Sequence, residues 1–141
     1  MTQMIFVNLP VADLARSRAF YAALGFGFDE RFCDDTAACI VIGHSIYFMV
    51  LTRDRFAGFA PRPVGNPAAE CTVLVALSRE SRLAVDEITD AAIAAGGRDN
   101  DKLQDYGFMY SRSFSDPDGN VIEVMWMDLE AAMRDQATQG A

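Results

Sequence analysis

Three prolines in eight residues, Ala60-Pro61-Arg62-Pro63-Val64-Gly65-Asn66-Pro67, interrupt any regular element near the middle of the chain, and the same order of elements is legible on both sides of them. Before the break, Met4 to Leu9 is apolar and β-branched, with Pro10 closing it, which predicts a strand. Asp13 then stands where a helix cap is expected. Leu14, Phe20, Tyr21 and Leu24 fall on one helical stripe, and Gly25 supplies the stop. Strand-like runs follow at Phe26 to Cys33, Ala37 to Ile42 and Ser45 to Thr52, and a short helical patch at Asp54 to Phe59.

After the break the order begins again. A strand is predicted at Glu70 to Leu77, then a helix opened by Ser78 with Val85, Ile88, Ala92 and Ala95 at helical spacing before Gly96-Gly97. A short extended piece near Arg98, a strand from Phe108 to Phe114, the turn Asp116-Pro117-Asp118-Gly119-Asn120 and a strand from Val121 to Met127 complete it. This order predicts an α+β fold: two βαβββ modules forming a curled mixed sheet around a cleft, with helices outside. At 141 residues the chain reads as a single domain, 1–141. Module one spans about 3–59, the linker about 60–69, module two about 70–127, and an Ala-rich C-terminal helix about 128–139.

Composition narrows the partners. Twelve basic against twenty acidic residues give a net charge of −8, which opposes binding to nucleic acid and favours a cationic ligand by long-range attraction. No apolar run approaches a membrane span and no basic leader opens the chain, so no membrane partner and a cytoplasmic location are expected. Cys33, Cys39 and Cys71 form no CxxC pair, consistent with a reducing compartment. His44 is the only histidine, and its place in a predicted hairpin turn makes an exposed residue of it. A chain with one imidazole cannot by itself assemble the zinc, iron or nickel sites that draw on two or more.

Val7-Asn8-Leu9-Pro10-Val11-Ala12-Asp13-Leu14, followed by Ser17, Phe20-Tyr21 and Leu24-Gly25-Phe26, resembles the opening of the vicinal oxygen chelate superfamily. That superfamily holds glyoxalase I, extradiol dioxygenases, antibiotic-resistance thiol transferases and bleomycin-binding proteins. The closing Phe114-Ser115-Asp116-Pro117-Asp118-Gly119-Asn120-Val121-Ile122-Glu123 is similar to its final hairpin. Asp105-Tyr106-Gly107-Phe108-Met109-Tyr110 and Val124-Met125-Trp126-Met127-Asp128 look most like a bacterial branch labelled predicted lactoylglutathione lyase. The resemblance implies a small molecule in the cleft, and a homodimer in which a two-fold axis completes that cleft and covers exposed strand edges.

The resemblance also implies metal ligands on the first and last strands of each module. Here Asn8 stands on the first strand, Phe48 or Met49 on the last strand of module one, Thr72 on the first strand of module two, and only Glu123 keeps a ligand-like group. The set predicts no metal cofactor, or at most a weakly bound divalent ion. Glu123, on an apolar strand, is the candidate catalytic base for a lyase or isomerase, although pairing with Arg112 would give it a structural role instead. Asn8 is a candidate for orienting a ligand carbonyl. On the strand before the last turn, Tyr110, Arg112 and Phe114 share one face and Met109, Ser111 and Ser113 the other. The aromatic and guanidinium set is the expected substrate-binding one, through stacking and bidentate hydrogen bonds. Three functions follow as expectations: a metal-independent small-molecule binder, a glyoxalase-type lyase or isomerase using Glu123, and an interaction module without a substrate.

Overall fold

Asp13 is extended and its carboxylate accepts from the Arg16 backbone N–H, so helix α1 starts at Leu14 and runs to Ala23. It follows strand β1 (Ile5–Val11) and precedes a two-residue strand β2 (Gly27–Phe28). The expected strand over Phe26 to Cys33 stops early because the Asp29 side chain caps a short 3-10 turn, Glu30–Phe32, and also holds the Arg31 guanidinium. Strands β3 (Ala37–Gly43) and β4 (Ile46–Thr52) form a hairpin around exposed His44, and helix α2 (Arg53–Phe59) opens at the Thr52 cap. Strand β4 also pairs in parallel with β1, giving a four-stranded mixed sheet in the order β1-β4-β3-β2.

The second sheet repeats the plan. Strand β5 (Leu74–Ser78) pairs in parallel with β9 (Val121–Met127), which pairs antiparallel with β8 (Met109–Ser115), and β6 (Arg98–Asp99) lies beyond. A further short strand, β7 (Gln104–Asp105), also pairs with β8 and is absent from the sequence reading. Strand β5 begins at Leu74 rather than Glu70. Helix α3 (Arg82–Ala94) takes its cap from Ser81 rather than Ser78, which is still the last strand residue. Helix α4 (Leu129–Gly140) closes the chain, its first turn capped by Asp128. The computed structural model describes residues 1–140, with side-chain surroundings through Arg134. None of its helices is long and apolar enough to cross a membrane, among the described residues.

The two mixed sheets remain separate and unclosed, while α1 and α3 touch each other and cover one side of both. One apolar core runs under both helices: Leu9 and Val11 of β1, Phe48 and Val50 of β4, Phe20 and Tyr21 of α1, Val85 and Ile88 of α3, Phe114 of β8, and Ile122 and Val124 of β9. Alternation along each strand turns the remaining residues, Asn8, Met49, Ala76 and Glu123 among them, to the face away from the helices.

The two halves are also joined by polar groups. The β8–β9 turn of module two reaches the start of α1, where the Asp118 carboxylate accepts from the Ala12 N–H at 2.8 Å, the Arg16 guanidinium at 2.9 Å and the Ser17 hydroxyl at 3.4 Å. Gly119 permits that turn twice over. Its φ is +98°, and a Cβ there would lie 2.6 Å from the Pro67 carbonyl oxygen of the linker.

Candidate functional site

Three hollows converge on Asn8. One, about 290 Å³, lies between β1, the linker and the region where β5 and β9 begin, bordered by Asn8, Pro10, Val73, Val75 and Val121. A second, about 560 Å³, is enclosed by Asn8, Leu51 and the residues of α2 and its end, Phe56, Phe59, Ala60 and Pro61. A third, about 350 Å³, runs from Asn8, Met49 and Leu51 to the 3-10 turn, with Phe32 and Phe59 both on its border. Asn8 is exposed, its amide donates to the Phe6 carbonyl at 3.3 Å, and its side-chain oxygen has no partner among the described residues. The lining is mainly apolar, with the Asn8 amide common to all three hollows and further polar groups in two of them, Asn66, Glu70 and Asn120 in the first and Arg31, Asp34 and Arg55 in the third, the usual chemistry of a small-molecule site.

The helix-free face is continuous with this cleft in module one. Phe6 stacks on Tyr47 with ring centroids 4.9 Å apart, and Asn8 stands beside Met49 in register. In module two the same face carries Glu123, with Ala76 on one side and Ser113 on the other in register. The Glu123 side chain is half-buried and has no hydrogen bond or ion pair among the described residues. It does not pair with Arg112, because Arg112 is in register with Val124 and points to the opposite face.

The structure brings Tyr110, Arg112 and Phe114 together, but against the helices and away from Asn8 and Glu123. Phe114 is fully buried, its ring centroid 6.3 Å from that of Phe20, so no ligand reaches it. The Tyr110 hydroxyl donates to Asp86 at 2.7 Å, which together with burial raises its pKa. The Arg112 guanidinium bonds Asp99 at 2.8 Å, Asp86 at 3.1 Å and Asp90 at 3.3 Å. These contacts bind β8 to α3 and β6. The set facing away from the helices is the small one, Met109, Ser111 and Ser113, and Ser113 is covered by the Asn100 amide at 2.9 Å. The substrate-binding expectation for Tyr110, Arg112 and Phe114 thus meets a face already filled by helix.

Strand register also corrects the ligand positions suggested by the sequence. In module one Met49, not Phe48, lies beside Asn8 on the open face, while Phe48 is in the core. In module two the residue beside Glu123 is Ala76, because Thr72 precedes β5 and lines the hollow by the linker. An amide, a thioether and one carboxylate are the donor groups at these four positions, and Ala76 supplies none. They do not fit the zinc, iron or nickel centre that the resemblance implies. Among the described residues no three His, Cys, Asp or Glu side chains are grouped to hold an ion.

The residues that the sequence reading passed over are Phe32, Phe56, Phe59 and Arg55. The only signal for them is an arginine followed at once by a phenylalanine in two segments, Arg31-Phe32 and Arg55-Phe56.

Residues 3–43 match the family model described as bleomycin resistance protein-like N-terminal. A search of curated proteins found none that matches. Among solved structures, hypothetical protein SA1046 from S. aureus is 25% identical with a TM-score of 0.75, over 89% of this chain and 95% of that one. A glyoxalase/bleomycin resistance protein/dioxygenase family enzyme from Burkholderia phytofirmans PsJN is 20% identical with a TM-score of 0.73, over 89% and 99% of the two chains. The fosfomycin resistance protein FosX from Listeria monocytogenes is 19% identical with a TM-score of 0.66, over 92% and 97%. The repeated βαβββ order and the helix-covered sheets give this chain the fold of the glyoxalase/bleomycin resistance protein/dioxygenase structures, and its first module matches the bleomycin resistance protein-like N-terminal family over residues 3–43.

Proposed function

We propose that the chain binds a small organic molecule in the cleft around Asn8 without using a transition metal. The observation that carries this reading is the convergence of three hollows on the Asn8 amide, beside apolar side chains of β4 and α2 such as Leu51, Phe56 and Phe59. Apolar walls supply the affinity by removing ligand surface from water, and Asn8, able to donate and accept, fixes orientation. The family match to bleomycin resistance proteins over residues 3–43 supports a binding role for this module. The test is a fragment library followed by amide-resolved NMR. Saturable shifts at Asn8, Leu51 and Phe59 are the expected result, and an Asn8→Ala variant should weaken the same fragments. A folded protein that shifts nowhere in this cleft with any fragment defeats the reading.

A second reading, lyase or isomerase chemistry of the lactoylglutathione lyase kind, is favoured by the unpaired Glu123 carboxylate on the open face of β9. A carboxylate held by no cation is free to take a proton next to a substrate carbonyl. Turnover of a thiol hemithioacetal that disappears in Glu123→Gln supports it, and equal turnover in that variant removes Glu123 from the chemistry. We also propose a homodimer, because Ile5, Phe6, Val73 and Leu74 at the two edge strands are exposed apolar residues. Sedimentation that gives only a 15.5 kDa species at micromolar concentration rejects it.

A further inference from the structure

Two exposed rings border the hollow between the 3-10 turn and α2, Phe32 at 58% exposure and Phe59 at 70%. Each carries a guanidinium over its face at 5.5 Å, Arg31 on Phe32 and Arg55 on Phe59. The two arginines differ in what they have left to offer. Arg31 is occupied, since its Nε and Nη2 both donate to the Asp29 carboxylate, at 3.0 and 2.8 Å. Arg55 is not. Its Nη1 donates to the Thr36 hydroxyl at 3.0 Å, and the nearest carboxylate, Asp34, stands off at 3.8 Å. Asp34 is turned to Thr36 instead, where one of its oxygens accepts from both the backbone N–H and the hydroxyl at 2.8 Å.

Nε and Nη2 of Arg55 therefore form an unused donor edge, with no partner among the described residues. That edge belongs to a residue lining the hollow, whose remaining surface includes the uncharged Asn8, Ala37, Met49 and Leu51 and, on the Nη1 side of Arg55, the Asp34 carboxylate, whose Oδ1 is held by Thr36. A parallel pair of N–H donors matches the two oxygens of a carboxylate. Exposed aromatic faces beside an apolar surface match a flat ring system. The geometry points to a flat aromatic molecule bearing a carboxylate as the ligand of this hollow, its rings on Phe32 and Phe59 and its carboxylate on the free edge of Arg55. This rests on the reading of the Asn8 cleft as a small-molecule site, and it sets the local fork of Arg55 against the acidic field of the whole chain, which by itself favours a cation.

The test compares three probes of one shape, 2-naphthoate, 2-naphthamide and 2-naphthylmethylammonium, on the full chain and on the exposed-site variants Arg55→Gln and Phe59→Leu. Titrations at about 0.15 M salt, where charges beyond about 8 Å are screened, isolate the local pairing from the distant acidic residues. The naphthoate is expected to bind roughly fivefold more tightly than the amide. Arg55→Gln should remove that difference and leave the amide unchanged, whereas Phe59→Leu should weaken both equally. If the amide binds as tightly as the acid, or the ammonium binds more tightly, the carboxylate assignment is overturned while the cleft remains a binding site. If none of the three shifts the amide signals of Asn8, Leu51 or Phe59, this inference is overturned, while the cleft reading stands or falls separately on the fragment screen.

Discussion

The Tyr21 hydroxyl, on the helix of the first module, donates to an oxygen of Asp116, in the last turn of the second, across 2.9 Å. Tyr21 is fully buried and Asp116 is 3% exposed, so neither can exchange this bond for water. Asp116 is further held by the backbone N–H groups of Asp118 and Asn120 and by the Asn120 amide, which also reaches the Pro10 carbonyl at 3.2 Å. Removing the hydroxyl by Tyr21→Phe withdraws one donor from a buried carboxylate. We expect a loss of about 1–2 kcal/mol in denaturant unfolding at neutral pH, with the slope of the transition unchanged.

Two aspartates are displaced in opposite directions, and their contributions to stability run in opposite senses with pH. Burial, opposed by hydrogen bonds from Asn120 and Tyr21, raises the pKa of Asp116. Its contribution to stability is fully present below the unfolded value and is lost as pH rises through the higher folded value. Asp105 is the converse: the Arg82 guanidinium and the Gly107 N–H hold its pKa at about 2, so its contribution is present above the ordinary 3.8 and is lost as pH falls toward 2. Carboxyl NMR titration should find Asp105 ionised at pH 3 and Asp116 titrating above 3.8. Arg82→Gln should return Asp105 toward its ordinary range and leave Asp116 in place.

Gly97 has an ordinary backbone, and only space restricts it. A Cβ there would lie 2.7 Å from the Ser115 carbonyl oxygen, 2.8 Å from that of Ala92 and 2.9 Å from the Phe20 ring. Two of those neighbours are main chain and cannot turn aside. Gly97→Ala should cost about 1–3 kcal/mol. Gly58, in α2 with nothing within 4 Å of such a Cβ, is the control, and Gly58→Ala should add about 0.4–1 kcal/mol. Thermal unfolding of the two variants side by side measures both.

Arg112 offers a direct test of which face of β8 meets the ligand. Its guanidinium is 15% exposed and neutralises Asp86, Asp90 and Asp99 together, so Arg112→Met leaves three carboxylates facing one another. We expect a loss of about 1–3 kcal/mol, reduced by added salt. Affinity in the Asn8 cleft should stay at the wild-type value. A selective loss of binding with stability intact would return Arg112 to the ligand site.

A chelator should leave the thermal midpoint unchanged, since Asn8, Met49, Ala76 and Glu123 do not make up a transition-metal donor set. Elemental analysis that finds one zinc, nickel or iron per chain, lost in Glu123→Ala, would reverse that statement.

Element order was legible in the sequence because local signals agreed with the global plan. Asp13 predicted a cap and is one, and the Val121–Met127 strand follows the Pro117-Asp118-Gly119 turn where the turn chemistry requires it. Strand facing was not legible on β8. Its alternate residues are Tyr110, Arg112 and Phe114 against Met109, Ser111 and Ser113, and both sets mix polar with apolar groups, so periodicity assigns neither to the core. What decides is α3, whose Asp86 and Asp90 receive Tyr110 and Arg112, and that pairing spans more than twenty residues of chain. The early end of β2 has a similar cause, because the Asp29 carboxylate offers the backbone a 3-10 turn in place of the ladder. The place of Asn8 in the cleft was legible only as a strand amide, since the linker and α2 that build its walls contact it through the fold.

The reach of Asp118 into the start of α1 has a consequence for how such a chain can diverge. The halves share an order of elements, yet the anchor for the first helix lies in the last hairpin of the second. A half expressed alone would present an Ala12 N–H, a Ser17 hydroxyl and a buried Tyr21 hydroxyl with their acceptors missing. A repeated plan is therefore no guarantee of independent halves, because these side chains make the first half complete only in the company of the second. A first module moved into another chain would have to bring Asp116 and Asp118, or substitutes for them, with it.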